Sequence, residues 1–424
     1  MNILLIGSGG REHALARKLS QSKNIDNFYS HPGNPGIWKY APKAKIDSPD
    51  FNLMVEFCKS NSIDLVVVGP EQPLADGITD VLNSAGIKVF GPSKLASRLE
   101  SSKGFAKDFM IRHNIPTANY KIFDFEHFNE AEKYLENCHF PVVLKADGLA
   151  AGKGVIIAED KESAKINLKR MFEGMFSEAG KTVVIEDYLR GQEASILAIC
   201  DGNDFITLPS SQDHKRAMDG DKGKNTGGMG AYSPAPIVNE PVLNKVENKI
   251  IRAAIEGMKT EGCPFIGCLY AGLMIENGEP NVVEFNARFG DPETEAVLTL
   301  FEGDLAVLLY SAAAGKLDKS AYSESTGHAC CVILSSAGYP DSYEKGFEIT
   351  GIEEAEKEGA IVYQSGTKQD NGKLLSDGGR VLGITGTGNS LQNAIDNAYK
   401  AVYKIEFANK FFRKDIGSKG LNIT

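Results

Sequence analysis

The strongest constraint on the fold lies between Asn2 and Phe90, where short apolar runs alternate with helical stretches. Asn2 to Ile6, a segment near Phe28, Asp64 to Val68 and Ile87 to Phe90 read as strands. About Arg11 to Gln21, Phe51 to Asn61 and Ala75 to Ala85 read as the helices between them. Strands joined only through helices cross over and lie parallel, and a parallel sheet must be covered on both faces. The chain therefore starts as a doubly wound α/β sheet, with its ligand loops beyond the carboxyl ends of the strands. Those loops are Gly7-Ser8-Gly9-Gly10-Arg11-Glu12-His13, His31-Pro32-Gly33-Asn34-Pro35-Gly36 and Gly69-Pro70-Glu71-Gln72-Pro73. The first looks like a dinucleotide fingerprint, but Glu12 stands where the third glycine belongs and Asn27-Phe28-Tyr29-Ser30 ends without an acid for a ribose. It reads instead as a helix N-terminus whose free N–H groups hold one phosphate group, with Arg11 in reach. A glycine turn that only packs helix on strand stays open as the alternative.

From about Ser101 the pattern changes. Lys103 to Met110 is helical, Ile115-Pro116 breaks it, and a helix over Phe125 to Asn137 leads into a small α+β unit. Its strands are expected at Pro141 to Ala146, Gly154 to Ala158 and Thr182 to Tyr188, with a helix over Lys161 to Phe176. The turn Lys145-Ala146-Asp147-Gly148-Leu149-Ala150-Ala151-Gly152-Lys153-Gly154 is glycine-rich with lysines at both ends, so its amides can fold over phosphates. It does not match GxxxxGK[ST], and a plain flexible turn stays open. In Glu186-Asp187-Tyr188-Leu189-Arg190-Gly191-Gln192-Glu193, a strand edge runs into a linker with spaced carboxylates. Backbone groups there suit adenine and an acid suits ribose hydroxyls; a solvated acidic linker is the bland reading. A hairpin follows (Ala194 to Cys200, Asp204 to Leu208), and then a loop from Asp213 to Gly230, eighteen residues with five glycines, a length more often functional than idle. A helix is expected over Pro241 to Thr260.

Asn277-Gly278 marks a tight hairpin between Tyr270 to Ile275 and Pro280 to Arg288. Alternation puts Glu284, Asn286 and Arg288 on one face and Val283, Phe285 and Ala287 on the core face. A carboxylate and an amide oxygen two residues apart suit a hard cation such as Mg²⁺, which takes few protein ligands plus phosphate oxygens. Arg288 beside them suits bidentate contact with a carboxylate or phosphate. A polar, solvent-facing strand edge is the other reading of this face. Glu284 is expected to sit among Asp291, Glu293 and other acids and to be repelled by them. Helices after Pro292 (through Leu300, then Asp304 to Ala314) close this unit. From about residue 326 a last unit carries strands at Ala329 to Leu334, Ala360 to Tyr363 and Arg380 to Thr385 and a helix over Leu391 to Ile405; no part in catalysis is expected of it.

At 424 residues the chain holds two to four domains, and the expected bounds are 1–102, 103–325 with a smaller subdomain over about 117–190, and 326–424. A net charge of -10 argues against binding a phosphate backbone. No apolar run approaches about 18 residues and no targeting segment is evident, so a cytoplasmic protein without membrane contact is expected. Seven cysteines without a CxxC pair read as reduced thiols.

These pieces in this order resemble the ATP-grasp superfamily and, within it, the phosphoribosylamine–glycine ligase family of purine biosynthesis. Arg288-Phe289-Gly290-Asp291-Pro292-Glu293, Gly227-Gly228-Met229-Gly230 and the first two N-terminal loops carry the resemblance. It implies an α/β and α+β multidomain protein, with an N-terminal doubly wound domain, an ATP-grasp core bearing a mobile lid, and a small C-terminal α+β domain. It implies Lys103 and Lys145 as phosphate-contacting lysines and 148–154 (Gly148, Gly152, Lys153 and Gly154) as the lid loop. Glu186 to Leu189, with Asp187 and Tyr188, become the adenine hinge, Glu193 the ribose acid, and Glu284 and Asn286 the ligands of Mg²⁺ or Mn²⁺. The implied reaction joins glycine to 5-phosphoribosylamine with conversion of ATP to ADP and phosphate, through glycyl phosphate, in a monomer. Arg288, Lys145 and Asp213 would take catalytic roles. The sugar phosphate would lie on Gly9, Gly10, Arg11, Glu12, Pro32, Gly33, Asn34, Pro35, Gly69, Pro70 and Glu71, and Asp213, Lys215, Arg288, Asp291 and Glu293 would face the acceptor. Two departures stand out: Gly272 occupies the place of a second acidic metal ligand, and Glu295 stands where glutamine is expected. A relative that carboxylates or formylates an imidazole nucleotide, and a non-catalytic nucleotide sensor, are the competing readings.

Overall fold

The computed structural model describes residues 1–149, 154–176 and 180–421. Its first sheet is parallel, with β1 (Asn2–Gly7), β2 (Asn27–Pro32), β3 (Leu65–Val68) and β4 (Lys88–Phe90) in the order β2-β1-β3-β4. Ile3 lies opposite both Phe28 and Leu65. Helix α1 (Gly10–Leu19) leaves the end of β1, and Glu12 accepts the Gly9 N–H at 2.5 Å. The residue that spoils the dinucleotide fingerprint is thus a helix cap. The helix expected over 75–85 is broken at Gly77, whose φ of +98° suits only glycine, into Glu71–Asp76 and Ile78–Ser84.

Helix α2 (Lys103–Arg112) starts at Ser102, whose hydroxyl accepts the Phe105 N–H. The small unit is an antiparallel sheet of β5 (Tyr120–Asp124), β6 (Val142–Ala146), β7 (Val155–Ala158) and β8 (Thr182–Asp187), ordered β5-β8-β6-β7. Phe128–Leu135 and Lys161–Arg170 cover it, burying Leu135, Leu144, Leu168 and Val183. The helix expected to reach Phe176 loses α-geometry after Arg170, and Gly174 turns left-handed.

β9 (Gln192–Asp201) and β10 (Phe205–Thr207) follow. The stretch expected to be an irregular loop instead carries β11 (Gln212–Asp213), a hairpin of β12 (Arg216–Met218) and β13 (Lys222–Asn225), and β14 (Gly230–Ser233). β15 (Ile266–Glu276) and β16 (Glu279–Asn286) complete an antiparallel sheet ordered β10-β9-β15-β16. Helix α3 (Glu293–Leu300) follows the turn after β16. The last sheet holds β17 (His328–Ser336), β18 (Ile361–Gln364) and β19 (Arg380–Gly388) in the order β11-β14-β17-β19-β18, so two of its strands come from the 212–233 stretch. Glycine is required at 228, where φ is +115° and a Cβ would stand 2.5 Å from Pro292 Cδ. Helix α4 (Leu391–Val402) packs on this sheet through Ala394, Ala398 and Val402.

One apolar cluster joins the first sheet to the central one. Ile3, Leu5, Val67 and Phe90 pack with Leu197, Ile199 and Tyr270 around the helix Leu305–Ala313. The opposite face of the central sheet buries Ile196, Leu269, Ala271 and Phe285 against Ile250, Ile255 and Met258. The first sheet is held in this way against β9 and β15 of the central sheet, which sets the place of the site.

Candidate active site

A cavity of about 1070 Å³ opens where these units meet, and its wall draws on the N-terminal loops, α2, the small unit, β16, the 212–227 stretch and the last unit. β16 delivers Glu284 and Asn286 to it, as the alternation predicts, and Arg288 follows on the same side. The alternation slips in one place. A register shift opposite Gly272/Leu273 puts Val282, not Val283, in the core; Val283 lines the cavity and its carbonyl accepts from Lys145 Nζ at 2.9 Å.

Glu284 is not repelled by acids as expected, because cations dominate its surroundings. Lys215 Nζ lies 3.7 Å from Oε1. Burial pushes the Glu284 carboxyl up, but Lys215, Lys145, Lys103 and Arg288 outweigh it and hold the group below the usual carboxylate range. Gly272 is the direct strand partner of Glu284, and a Cβ there would press on Glu284 Cγ at 3.2 Å. One carboxylate and the Asn286 amide oxygen therefore form the donor set at this end of the sheet, two hard oxygen donors that suit a divalent cation sharing phosphate oxygens.

On the side of the small unit, Glu186 Oε2 is shared by Lys145 at 3.0 Å and Lys107 at 2.9 Å. Lys107, which no motif marked, also donates to Thr117 Oγ1 at 2.7 Å. Burial lowers the Lys107 ammonium to about 8, with Glu186 opposing. Among the described residues the other Glu186 oxygen has no partner. Lys103 Nζ donates to the Gly148 carbonyl at 2.9 Å. Gly148, Gly154, Asp187, Tyr188, Leu189 and Glu193 all line the same cavity, whereas Gly152 and Lys153 lie outside the described residues.

The opposite wall is built on shared carboxylates. Arg288 places Nε 3.2 Å from Glu71 Oε2 and Nη2 2.9 Å from Glu100 Oε1. Arg11 reaches Glu12 at 2.5 Å and Glu71 at 3.4 Å. Burial pushes Glu71 up, but Arg288 and Arg11 overcome it and hold the carboxyl at about 2. Asp213 and Lys215 line the cavity beside Glu293, which accepts the Tyr270 hydroxyl at 2.9 Å. Burial raises Asp213 above the usual range against the pull of Lys215, and Glu293, Glu193 and Glu284 add to the rise. Asp291 is held by Arg380 of β19, at 3.0 Å from Oδ1 and 2.7 Å from the carbonyl.

Not all of the residues expected to contact the sugar phosphate line this cavity. Gly9, Gly10, Glu12, Pro32, Gly33, Asn34, Pro35, Gly69 and Pro70 do not line the cavity; of that set only Arg11 and Glu71 do. Glu12, 1% exposed, fills the space under the first and third loops, and Cβ atoms at Gly7 or Gly69 would collide with it. The Asn34 amide is spent on the Ser8 and Gln364 carbonyls, both at 2.8 Å, and on the N–H groups of Gly36 and Ile37. These loops build the wall from behind. The last unit, of which no catalysis is expected, contributes Tyr339, Arg380 and Lys419 to the lining. Glu295 is fully buried beside them, and among the described residues neither of its oxygens has a hydrogen-bond partner. Burial, with Asp291 nearby, pushes its carboxyl well above the usual range, which favours the neutral form at the place where glutamine is expected.

Family models for phosphoribosylglycinamide synthetase match three consecutive parts of the chain: the N domain over residues 1–100, the ATP-grasp (A) domain over 101–294 and the C domain over 329–419. The phosphoribosylamine–glycine ligase of Mesorhizobium japonicum is 46% identical over 417 residues, 98% of each chain. That of Neisseria meningitidis serogroup A is 45% identical over 424 residues, the whole of both. Among solved structures, a phosphoribosylamine–glycine ligase from Thermotoga maritima superposes with a TM-score of 0.86 at 33% identity, covering 98% of this chain and all of that one. A biotin carboxylase–β-γ-ATP complex from Campylobacter jejuni superposes with a TM-score of 0.72 at 16% identity, covering 99% and 95%, a likeness of fold.

Proposed function

The chain belongs to the phosphoribosylglycinamide synthetase family and is an ATP-dependent ligase of purine biosynthesis that joins glycine to 5-phosphoribosylamine, and we propose that the central cavity does this by way of glycyl phosphate. The observation that carries the reading is the one cavity that Lys103, Lys145, Lys215 and Arg288 line together with Glu284, with Lys215 3.7 Å from its carboxylate. A carboxylate is a poor acyl donor and ATP, which phosphorylates it, is a highly charged phosphoryl donor, so the first step needs charge neutralisation and alignment more than a base.

Glu284 and Asn286 would hold Mg²⁺, which when bound neutralises charge on the ATP phosphates. Lys103 and Lys145 approach from the small unit and would bind those phosphates, with Gly148 and Gly154 bounding the loop above them. The Glu186 to Leu189 edge would take adenine and Glu193 the ribose. Arg288, gripped by Glu71 and Glu100, is oriented before any substrate arrives, so it would align the glycine carboxylate without reorganising. Asp213, raised by burial among carboxylates, would take a proton from the attacking amine, while Lys215, Asp291 and Glu293 would face the acceptor side. We divide the chain at 1–102, 103–325 and 326–424, with the cleft where the three meet. We also read it as a cytoplasmic monomer; its seven free thiols support a reducing compartment. Among the described residues no helix is long and apolar enough to cross a membrane.

Phosphate release measured with ATP, glycine and 5-phosphoribosylamine tests the proposal. Release should require both co-substrates, and release that ignores either one contradicts it.

A further inference from the structure

On the acceptor wall the arginines come already paired. Arg11 and Arg288 share Glu71, and Arg380 holds Asp291. Arg216 is the exception. It lines the same cavity, yet among the described residues no carboxylate lies within ion-pairing distance of its guanidinium. Its side chain donates from Nη1 to the Gly223 carbonyl at 2.8 Å, inside its own hairpin, which leaves most of a five-donor fork open.

The position of that fork is built. Arg413, fully buried, donates from Nη1 to the Arg216 carbonyl at 2.9 Å and to Asp221 Oδ1 at 3.0 Å. Its other nitrogens bind Asp415, which also accepts the Gly220 N–H at 2.8 Å. Burying a guanidinium is costly unless it is fully paired, and here the pairing fixes the backbone of one exposed hairpin. Arg216 pairs across that hairpin with Asn225, two residues before Gly227, whose carbonyl takes Arg380 at 2.7 Å. Through its hairpin Arg216 therefore adjoins the wall that runs from Arg11 through Asp291 and Arg380.

We propose that Arg216 binds the phosphate group of the phosphorylated amine substrate and so sets which end of that substrate faces the acyl donor. This rests on the ligase reading above and differs from the expectation that the first N-terminal loop holds the phosphate: of that loop only Arg11 lines the cavity, and two of its guanidinium nitrogens are taken by Glu12 and Glu71. A planar fork with free donors matches a phosphate monoester in bidentate fashion, and the hairpin holds it there before the substrate arrives.

Steady-state kinetics of Arg216→Gln and Arg216→Lys, with 5-phosphoribosylamine and with unphosphorylated ribosylamine, test the assignment. Arg216→Gln should raise the KM for 5-phosphoribosylamine roughly 10- to 100-fold, the loss expected for charged hydrogen bonds. The KM values for ATP and glycine should stay unchanged, ribosylamine should be used equally by parent and variant, and Arg216→Lys should recover part of the loss. Ribose 5-phosphate, followed by its protection of the protein against thermal unfolding, gives a readout independent of turnover; Arg216→Gln should lose that protection. An equal loss with ribosylamine, a matching rise in the KM for ATP, or undiminished protection of the variant overturns the proposal. Failure of the ligase reading is a separate result, since the parent would then release no phosphate with glycine and 5-phosphoribosylamine.

Discussion

Replacing Glu295 with glutamine should stabilise the protein, and increasingly so as the pH rises. The side chain is buried where three units touch. Asp291 and Glu293 face it from the turn entering α3, Arg380 from β19, and Tyr363 and Cys331 from the last sheet, while at Gly10 any Cβ would overlap its Oε1. Burial and Asp291 raise the carboxyl well above its usual range, with Arg380 too little to reverse the rise. In the unfolded chain a glutamate ionises near pH 4.3, roughly the model-peptide value. Above that pH the native state holds a proton that the unfolded state has released, so stability falls as pH rises until the folded carboxyl itself ionises. The cost accrues at up to about 1.4 kcal/mol per pH unit, or at most about 2.7 kcal/mol between pH 5 and pH 7. Glutamine keeps the shape and carries no such cost. Urea unfolding of parent and Glu295→Gln, followed at pH 5, 6 and 7, should show the variant's advantage growing with each step. A constant difference across that range, or a variant less stable at pH 7, would show that Glu295 is ionised and has found a partner.

Glu284→Gln should lower turnover by roughly 10²- to 10³-fold, the loss expected when one well-placed electrostatic contact to a developing charge is removed. It should also lower the melting temperature slightly at neutral pH, because the folded carboxyl is held below its unfolded value by four cations; that margin is present above the unfolded value and disappears as pH falls through the folded one. A destabilised enzyme with parental turnover would remove Glu284 from the site. Lys107→Met leaves Glu186 with Lys145 alone, and the apparent affinity for ATP should drop at least about tenfold, or about 1.4 kcal/mol, with little change for glycine. An unchanged KM for ATP would make the Lys107–Glu186 pair purely structural.

What the sequence made legible was local. Alternation along β16 brought Glu284, Asn286 and Arg288 to one side because adjacent strand residues must point apart, and it erred at Val283 because a register shift depends on the partner strand. The glycine-rich stretch from 213 to 230 read as a loop because its strands are only two to four residues long and the last of them, β14, pairs with β17, about a hundred residues away in sequence. Glu12 and Asn34 sit in ligand-type loops, yet their polar atoms are consumed within the protein, and composition does not distinguish a side chain that binds ligand from one that holds the loop. Arg380 and Arg413 carry no motif at all. Their partners, Asp291 and Asp221, come from distant parts of the chain, and only the packed fold brings them together.

The acyl phosphate is tested most directly by following oxygen. With glycine labelled with ¹⁸O in both carboxylate oxygens, the account predicts that phosphate released during ligation carries one ¹⁸O atom per molecule, because the carboxylate oxygen that attacks the γ-phosphoryl group leaves with it when the amine arrives. Released phosphate free of label would contradict it.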